Sequence, residues 1–304
     1  MSLQYNAFFA QSKARDTTLV TSTAGRNVAL VVSNVDEQIP YPVLLRVTKG
    51  VVGVLNVAGA ATVRTEAERQ RLFTTVVGLF GGDSRVRFRL NQIAIGSGGT
   101  RILERKKPFM TALEAPGIAF AIAQKNHPNC LPRTWGHTPR TNETLGYGGL
   151  ESSFLLGDKM DKDTIPNPLL HVLWILQKGA STPADWNGDL PKFMDLLQTF
   201  AGSGNGRSGL LVLSGGGVTA EEVLLALSNG IPVLGAVGTG RAADALVHLK
   251  SGELNKIEEP AVRAQYQEIA RRRLNLDLVT LFDASDPRAG QLWLQEMGFG
   301  LIRK

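Results

Sequence analysis

Two glycine-rich loops stand in succession between Leu210 and Lys250, each closing an apolar run and opening a helical pattern. The first is Ser214-Gly215-Gly216-Gly217 and the second Gly238-Thr239-Gly240-Arg241. Glycine lets backbone approach a ligand closely, and bare N–H groups at a helix N-terminus bind anions, phosphates above all. Arg241 adds a guanidinium in the first turn of the second helix, where a cation opposes the macrodipole at a cost of a few tenths of a kcal/mol or more. Two partners could offset that cost. Asp244 stands three residues on, in range of a helical ion pair; a bound phosphate would take a bidentate contact. Both remain open in the sequence. A further glycine loop, Gly96-Ser97-Gly98-Gly99-Thr100-Arg101, and a small-residue turn, Ala58-Gly59-Ala60-Ala61-Thr62, close other apolar runs upstream.

These loops need strands and helices to hold them. Leu210–Leu213 and Ile231–Val237 are short apolar runs bounded by Gly and Pro, as suits strands buried on both faces of a parallel sheet. Successive parallel strands place both loops at one carboxyl edge, where open α/β sheets bind ligands. The helix between them offers Thr219 as N-cap, Glu222 as its capping-box partner and Gly230 as a left-handed C′ residue. Further strands are expected over Asn27–Val35, Pro42–Thr48, Val51–Val57, Gln92–Ile95, Gly117–Ala123, Phe154–Leu156 and Leu276–Phe282. Helices are expected around an apolar face of Leu72, Phe73, Val76, Val77 and Phe80, and over Leu169–Gln177, Leu190–Phe200, Pro260–Leu274 and Ala289–Met297. Residues 1–27 read as poorly organised. His127–Gly149, rich in Pro, Gly, Asn and Thr, reads as a long loop.

Composition narrows the class. The chain has 304 residues, 43% of them apolar, enough for a sizeable core, and helical and strand-like segments alternate as in α/β proteins. No apolar run approaches the ~18 residues of a membrane span. The N-terminus lacks the apolar core of a signal peptide, and Cys130 is the single cysteine. A cytoplasmic location, with no membrane partner, is the expectation. The net charge of +6 is scattered apart from Arg271-Arg272-Arg273, which reads as a solvated helix end. No nucleic-acid-binding motif is present, so a nucleic-acid partner is not expected, although the basic balance leaves a coating role open.

Several chemistries find no support. Gly238–Ala243 fits a dinucleotide-binding pattern, but the polar stretch that follows, Ser251–Glu259, is no strand ending in an acidic residue. There is no P-loop signature and no nucleophile elbow. His127, His137, His171 and His248 lack metal-ligand spacing, so no metal is expected.

The run from Ser208 to Leu246, with its Gly-Gly turn, Pro-led apolar strand and Gly238-Thr239-Gly240-Arg241-Ala242-Ala243-Asp244, resembles the closing half of the SLOG domain. The branch in question is the LSDAT-like one, shared with the cytoplasmic N-terminus of melastatin-type TRP channels. Ile95–Thr100, Pro116–Asn126, Ser152–Asp158 and Leu278–Asp283 resemble other strands of that branch, in the same order. The resemblance implies a Rossmann-like open parallel sheet with helices on both faces. It would carry an N-terminal extension over residues 1–42, a ligand-binding domain over 43–250 and a C-terminal helix-strand-helix segment over 251–304 packed on the same domain. It also implies a sensor of a phosphorylated nucleotide-derived ligand (ADP-ribose-like, NAD-derived or a cyclic nucleotide) in bacterial nucleotide signalling or defence. No further cofactor is implied. Output would pass through a homo-oligomer or a separate effector protein. Gly215, Gly216, Gly217, Gly238, Thr239, Gly240 and Arg241 match the ligand-facing turns, together with Gly98, Gly99 and Thr100; after Thr100 the chain departs from the pattern with Arg101-Ile102-Leu103-Glu104.

A second branch of the superfamily implies catalysis. Ser214–Glu222 resembles the Pro-Gly-Gly-x-Gly-Thr-x-x-Glu motif of LOG-type phosphoribohydrolases, which cleave the N-glycosidic bond of nucleoside monophosphates. Ser214 replaces its proline and Val218 the glycine before its threonine. Glu222 falls on the motif's carboxylate, which could stabilise an oxocarbenium-like transition state or activate water. The capping box is the competing use of Thr219 and Glu222, and the sequence leaves the two open.

Overall fold

The structure of the chain, a computed structural model, describes residues 4–8, 17–21, 27–34, 53–59, 66–81, 87–88, 93–97, 133–139, 172–178, 182–183, 186–202 and 207–301. Its strands are β1 (Gln4–Phe8), β2 (Thr17–Thr21), β3 (Asn27–Asn34), β4 (Gly53–Ala58), β5 (Arg87–Phe88), β6 (Ile93–Ser97), β7 (Arg133–Pro139), β8 (Val172–Lys178), β9 (Thr182–Pro183), β10 (Arg207–Val212), β11 (Val233–Val237), β12 (Val279–Asp283) and β13 (Gly300–Leu301). The α-helices are α1 (Glu66–Gly81), α2 (Trp186–Gly202), α3 (Gly217–Ser228), α4 (Arg241–Ser251), α5 (Pro260–Arg271) and α6 (Arg288–Glu296).

The strand block that positions the glycine loops is parallel throughout. β4, β10, β11 and β12 lie side by side, with Leu211 across from Val57 and Leu234, and Leu234 across from Thr280. Beyond β4 the order continues through β6, β7, β8 and β3, still parallel, and turns antiparallel at β2 and β1. Every residue of β4 is buried, as are the five from Ser208 to Val212. Such strands need apolar side chains on both sides, which is why they read as continuous runs.

Helices cover both faces. On one, Val54, Ala58, Leu210, Val212 and Val233 pack with Leu197 of α2, Val223 of α3, Leu246 of α4 and Ile269 of α5. On the other, Leu55, Val57, Leu211 and Leu234 meet Leu72, Val76 and Leu79 of α1 and Trp293 and Leu294 of α6. The buried Tyr266 hydroxyl donates to the Ala242 carbonyl at 2.8 Å, tying α5 to the start of α4. On the α6 side, two glycines give up side-chain space to the C-terminal segment. A Cβ at Gly209 would stand 2.6 Å from the Trp293 ring, and one at Gly53 would overlap Phe299.

Four expectations need correction. Gln4–Phe8 and Thr17–Thr21 are strands within the stretch read as poorly organised. Arg133–Pro139 is a strand inside the supposed long loop. Val172–Lys178 is a strand, not the helix expected over 169–177. A short apolar run carries no period that tells a buried strand from a buried helix, and this one is seven residues long with a β-branched start. The helix after the first glycine loop begins at Gly217 with Gly216 as its N-cap, so Thr219 caps nothing. The expected strands over 42–48, 117–123 and 154–156 lie outside the described residues. Among the described residues no helix is long and apolar enough to cross a membrane.

Helix ends follow sequence more closely. The Gly230 N–H donates to the Leu227 carbonyl and the Ile231 N–H to Ala226, a Schellman closure with Gly230 at φ +68°. α5 closes the same way on Ala270 and Ile269, but its left-handed residue is Arg273, at φ +53°. A Cβ is strained there by about 1 kcal/mol. Arg273→Gly is therefore expected to stabilise the protein by about that amount and raise Tm by about 2 °C in a calorimetric scan; an unchanged or lower Tm would contradict the assignment.

Candidate functional site

Parallel pairing brings the glycine turns after β4, β10 and β11 to one carboxyl edge. The Leu213 N–H donates to the Ala58 carbonyl at 2.9 Å, carrying the pairing one step past the strands. Gly59, at φ +91°, then meets the next turn backbone to backbone. A Cβ on it would overlap the Leu213 carbonyl and stand 3.0 Å from the Gly215 nitrogen. Ser214 and Gly215 are both left-handed, at φ +57° and +86°, and fold the chain sharply from β10 into α3.

Hydrogen bonds join the two loops of the sequence motif into one body. The Thr239 hydroxyl accepts from the Ser214 N–H at 2.9 Å and donates to the Ala236 carbonyl at 2.6 Å. The first N–H groups of α4 reach across as well, Ala242 to the Gly215 carbonyl at 3.0 Å and Ala243 to Ser214 at 3.2 Å. Asp244 Oδ1 accepts from the Gly238 and Gly240 N–H groups at 2.7 and 3.1 Å. The anion-binding backbone expected at the second loop thus already holds a carboxylate, its own.

Asp244 is therefore not the partner of Arg241. That guanidinium makes a two-pronged contact with Glu259 instead, Nε to Oε2 at 3.0 Å and Nη2 to Oε1 at 2.8 Å. Asp244 is committed to the loop, and Arg241 sits at φ +52° in the left-handed region, which sends the chain into α4 from an unusual angle. The guanidinium lies against Gly216, where any Cβ would overlap Nη2. Gly216 is thus needed for close approach, at the N-cap of α3. A second cation, Arg71 of α1, donates to the Gly238 carbonyl at 3.3 Å.

Glu222 departs furthest from expectation. It lies inside α3 rather than three residues past a cap, and it is buried, with 4% of its surface exposed. Burial pushes its pKa up to about 8; nearby Asn56 opposes the shift, and Glu221 adds to it through like charge. Asn56 belongs to β4 and is fully buried, yet neither its Oδ1 nor its Nδ2 has a partner at full hydrogen-bond geometry among the described residues. Each such atom is costly to leave unsatisfied. Two polar side chains thus share the core between β4 and α3, two strand residues below the Gly59 turn.

Gly215, Gly216, Gly217, Gly238, Thr239, Gly240 and Arg241 are all at the one edge. Gly98, Gly99 and Thr100 lie outside the described residues; β6, which leads to them, ends at Ser97 beside β4 in parallel register. Asn56, Arg71, Asp244 and Glu259 are the residues that sequence reasoning did not place in the site. Asn56 had a signal, as the one polar residue in an apolar strand. Glu259 had a weaker one, standing just before a Pro at a helix start. Among the described residues no group of three or more His, Cys, Asp or Glu side chains could hold a metal ion.

No family model matches this chain. No curated protein matches it either.

The burial of Glu222 has a consequence for pH. Its carboxyl is protonated in the fold up to about pH 8 but ionises above about 4.5 in the unfolded chain, so the folded state binds the extra proton between those values. Stability contributed by the neutral form is full below about pH 4.5 and is lost, at up to about 1.4 kcal/mol per pH unit, until the folded group ionises. Glu222→Gln is expected to remove that slope and to be as stable as the parent, or more so, at pH 8. Denaturant titrations between pH 5 and 9 measure this; parallel pH profiles for the two proteins would rule it out.

Proposed function

We propose that this chain is a binding domain for a phosphorylated nucleotide-derived ligand, held at the carboxyl edge of a Rossmann-like sheet of the SLOG kind. ADP-ribose-like molecules, NAD-derived molecules and cyclic nucleotides are the candidate classes. The observation that carries the reading is the meeting of three glycine turns at one edge of a parallel block, with the Arg241 guanidinium laid against the N-cap of α3. Backbone that can be approached closely, a helix N-terminus and a planar cation form an arrangement suited to phosphate. The SLOG resemblance supplies the ligand class, and this part of the reading rests on analogy. The domain acts as a cytoplasmic sensor in a nucleotide-signalling or defence system, signalling through self-association or an effector protein.

A phosphoribohydrolase of the LOG kind is the second reading. The observation favouring it is that Glu222 caps nothing and lies buried in α3, where burial pushes its pKa up to about 8. A neutral carboxylic acid could protonate a departing base. Release of free base from nucleoside monophosphates, lost in Glu222→Gln, would establish this reading over the sensor.

For the sensor, a thermal-shift panel of ADP-ribose, cyclic ADP-ribose variants, NAD, cyclic oligonucleotides and nucleoside monophosphates is the direct test. A ligand at 100 times its Kd stabilises by about 2.7 kcal/mol. Arg241→Ala is expected to abolish the shift and to leave the apo protein folded, because a partly buried ion pair at the rim of the fold contributes only about 1 kcal/mol. Arg241→Gly is expected to lose the shift too, with Tm held up by relief of the left-handed backbone. A ligand-induced shift that survives both substitutions would refute the role given to Arg241.

A further inference from the structure

Three helices begin beside a single ion pair: α3 after Gly216, α4 after Gly240 and α5 after Glu259. The Arg241 guanidinium lies against Gly216, and Glu259 Oε1 stands 2.9 Å from where a Gly216 Cβ would be. The helices are not equivalent in what their N–H groups already hold. At α4 the Ala242, Ala243 and Asp244 N–H groups are given to the carbonyls of Gly215, Ser214 and Gly240, while in the loop before it the Gly238 and Gly240 N–H groups are given to the Asp244 carboxylate and the Thr239 N–H to the Ala236 carbonyl. At α3 the Ala220 N–H goes to the Gly216 carbonyl, and the N–H groups of Gly217, Val218 and Thr219 have no acceptor among the described residues. Among the described residues the α4 terminus keeps only the Arg241 N–H without an acceptor, whereas the α3 terminus, with the Arg241 guanidinium over it, keeps three.

We infer that the anionic subsite lies between the α3 N-terminus and Arg241, and that Glu259 fills it as an internal stand-in which a ligand phosphate must displace. The inference deepens the phosphorylated-ligand reading and rests on it. Both carboxylate oxygens of Glu259 are committed to the guanidinium. The pyrophosphate of an ADP-ribose-like ligand offers four non-bridging oxygens and two negative charges against two oxygens and one charge on Glu259, so it can satisfy the guanidinium and the α3 N–H groups together. The exchange leaves α5 intact. The Glu259 side chain makes no cap hydrogen bond, and the helix start is held through its backbone carbonyl, which accepts the Arg263 N–H at 2.9 Å. Ligand arrival therefore frees a charged side chain at the head of α5, a helix packed along α3 and tied to α4 through Tyr266. In a sensor, that is where the binding event leaves the pocket. The lock also lowers apparent affinity, since only the fraction of molecules with Arg241 free is competent to bind.

Isothermal titration with ADP-ribose, at one fixed ionic strength, tests the exchange in the parent protein, in Glu259→Gln and in Arg241→Ala. Glu259→Gln is expected to bind at least tenfold tighter, and Arg241→Ala not to bind. Equal or weaker binding by Glu259→Gln overturns the inference while the nucleotide reading stands. No binding of ADP-ribose or inorganic pyrophosphate by either the parent or Glu259→Gln overturns both. Should Glu259→Gln fail to fold, the parent protein decides alone. With 15N-labelled arginine, the Arg241 Nε–H resonance shifts on saturation with ADP-ribose if the guanidinium changes partner, and an unmoved resonance in a protein that binds ADP-ribose overturns the exchange.

Discussion

The rest of the site depends on backbone meeting backbone without side chains between. Where β10 ends, Ser214 and Gly215 turn their carbonyls toward the first N–H groups of α4, and Gly59 comes up against the same turn from β4. Three chain segments distant in sequence share one small volume. The contact tolerates no Cβ at Gly59 or Gly216, and it sets the directions in which α3 and α4 leave the sheet. Everything chemical in the site, the guanidinium included, is aimed by that geometry.

The charges arranged around this knot form a closed account. Asp244 neutralises the positive N–H groups of its own loop, and Glu259 neutralises Arg241. The two carboxylates offset the repulsion that a guanidinium and several helix N-termini would otherwise exert on one another. Asp244 lies within the loop it serves and is bound by two donors. Among the described residues the Glu259 carboxylate is tied to one flexible side chain. The two carboxylates differ in how easily they can leave, and that difference separates a structural ion from an exchangeable one.

Much of the parallel block was legible in the sequence. Leu210–Leu213 and Ile231–Val237 are bounded apolar runs, Gly230 is a helix stop, and both became what their patterns indicated, because local signals and burial agree there. The pattern failed where burial overrides period. Val172–Lys178 is apolar enough to suit either element, and only its neighbours β3 and β7 decide for a strand. It failed again where one residue had two local uses. Thr219 and Glu222 satisfy a capping box on paper, but the chain turns earlier, at Ser214 and Gly215, so the helix starts before either residue. Arg241 and Glu259 could not be paired from sequence, since their contact is made by the docking of α5 on α3 and not by helical spacing. Asn56 was visible as an oddity, and its meaning came only with the α3 side chain that faces it.

The close fit of Phe299 against Gly53 and of Trp293 against Gly209 bears on how the chain comes to be folded. The surface of β4 and β10 that these aromatics cover belongs to the middle of the sheet, while the aromatics come from the last residues described. During synthesis, that face stays open to water until the C-terminal segment emerges from the ribosome. Contacts spanning so much of the sequence slow folding and prolong the exposure of apolar strands. Truncation before residue 293 would leave a nascent product with an open flank, one for chaperones to hold.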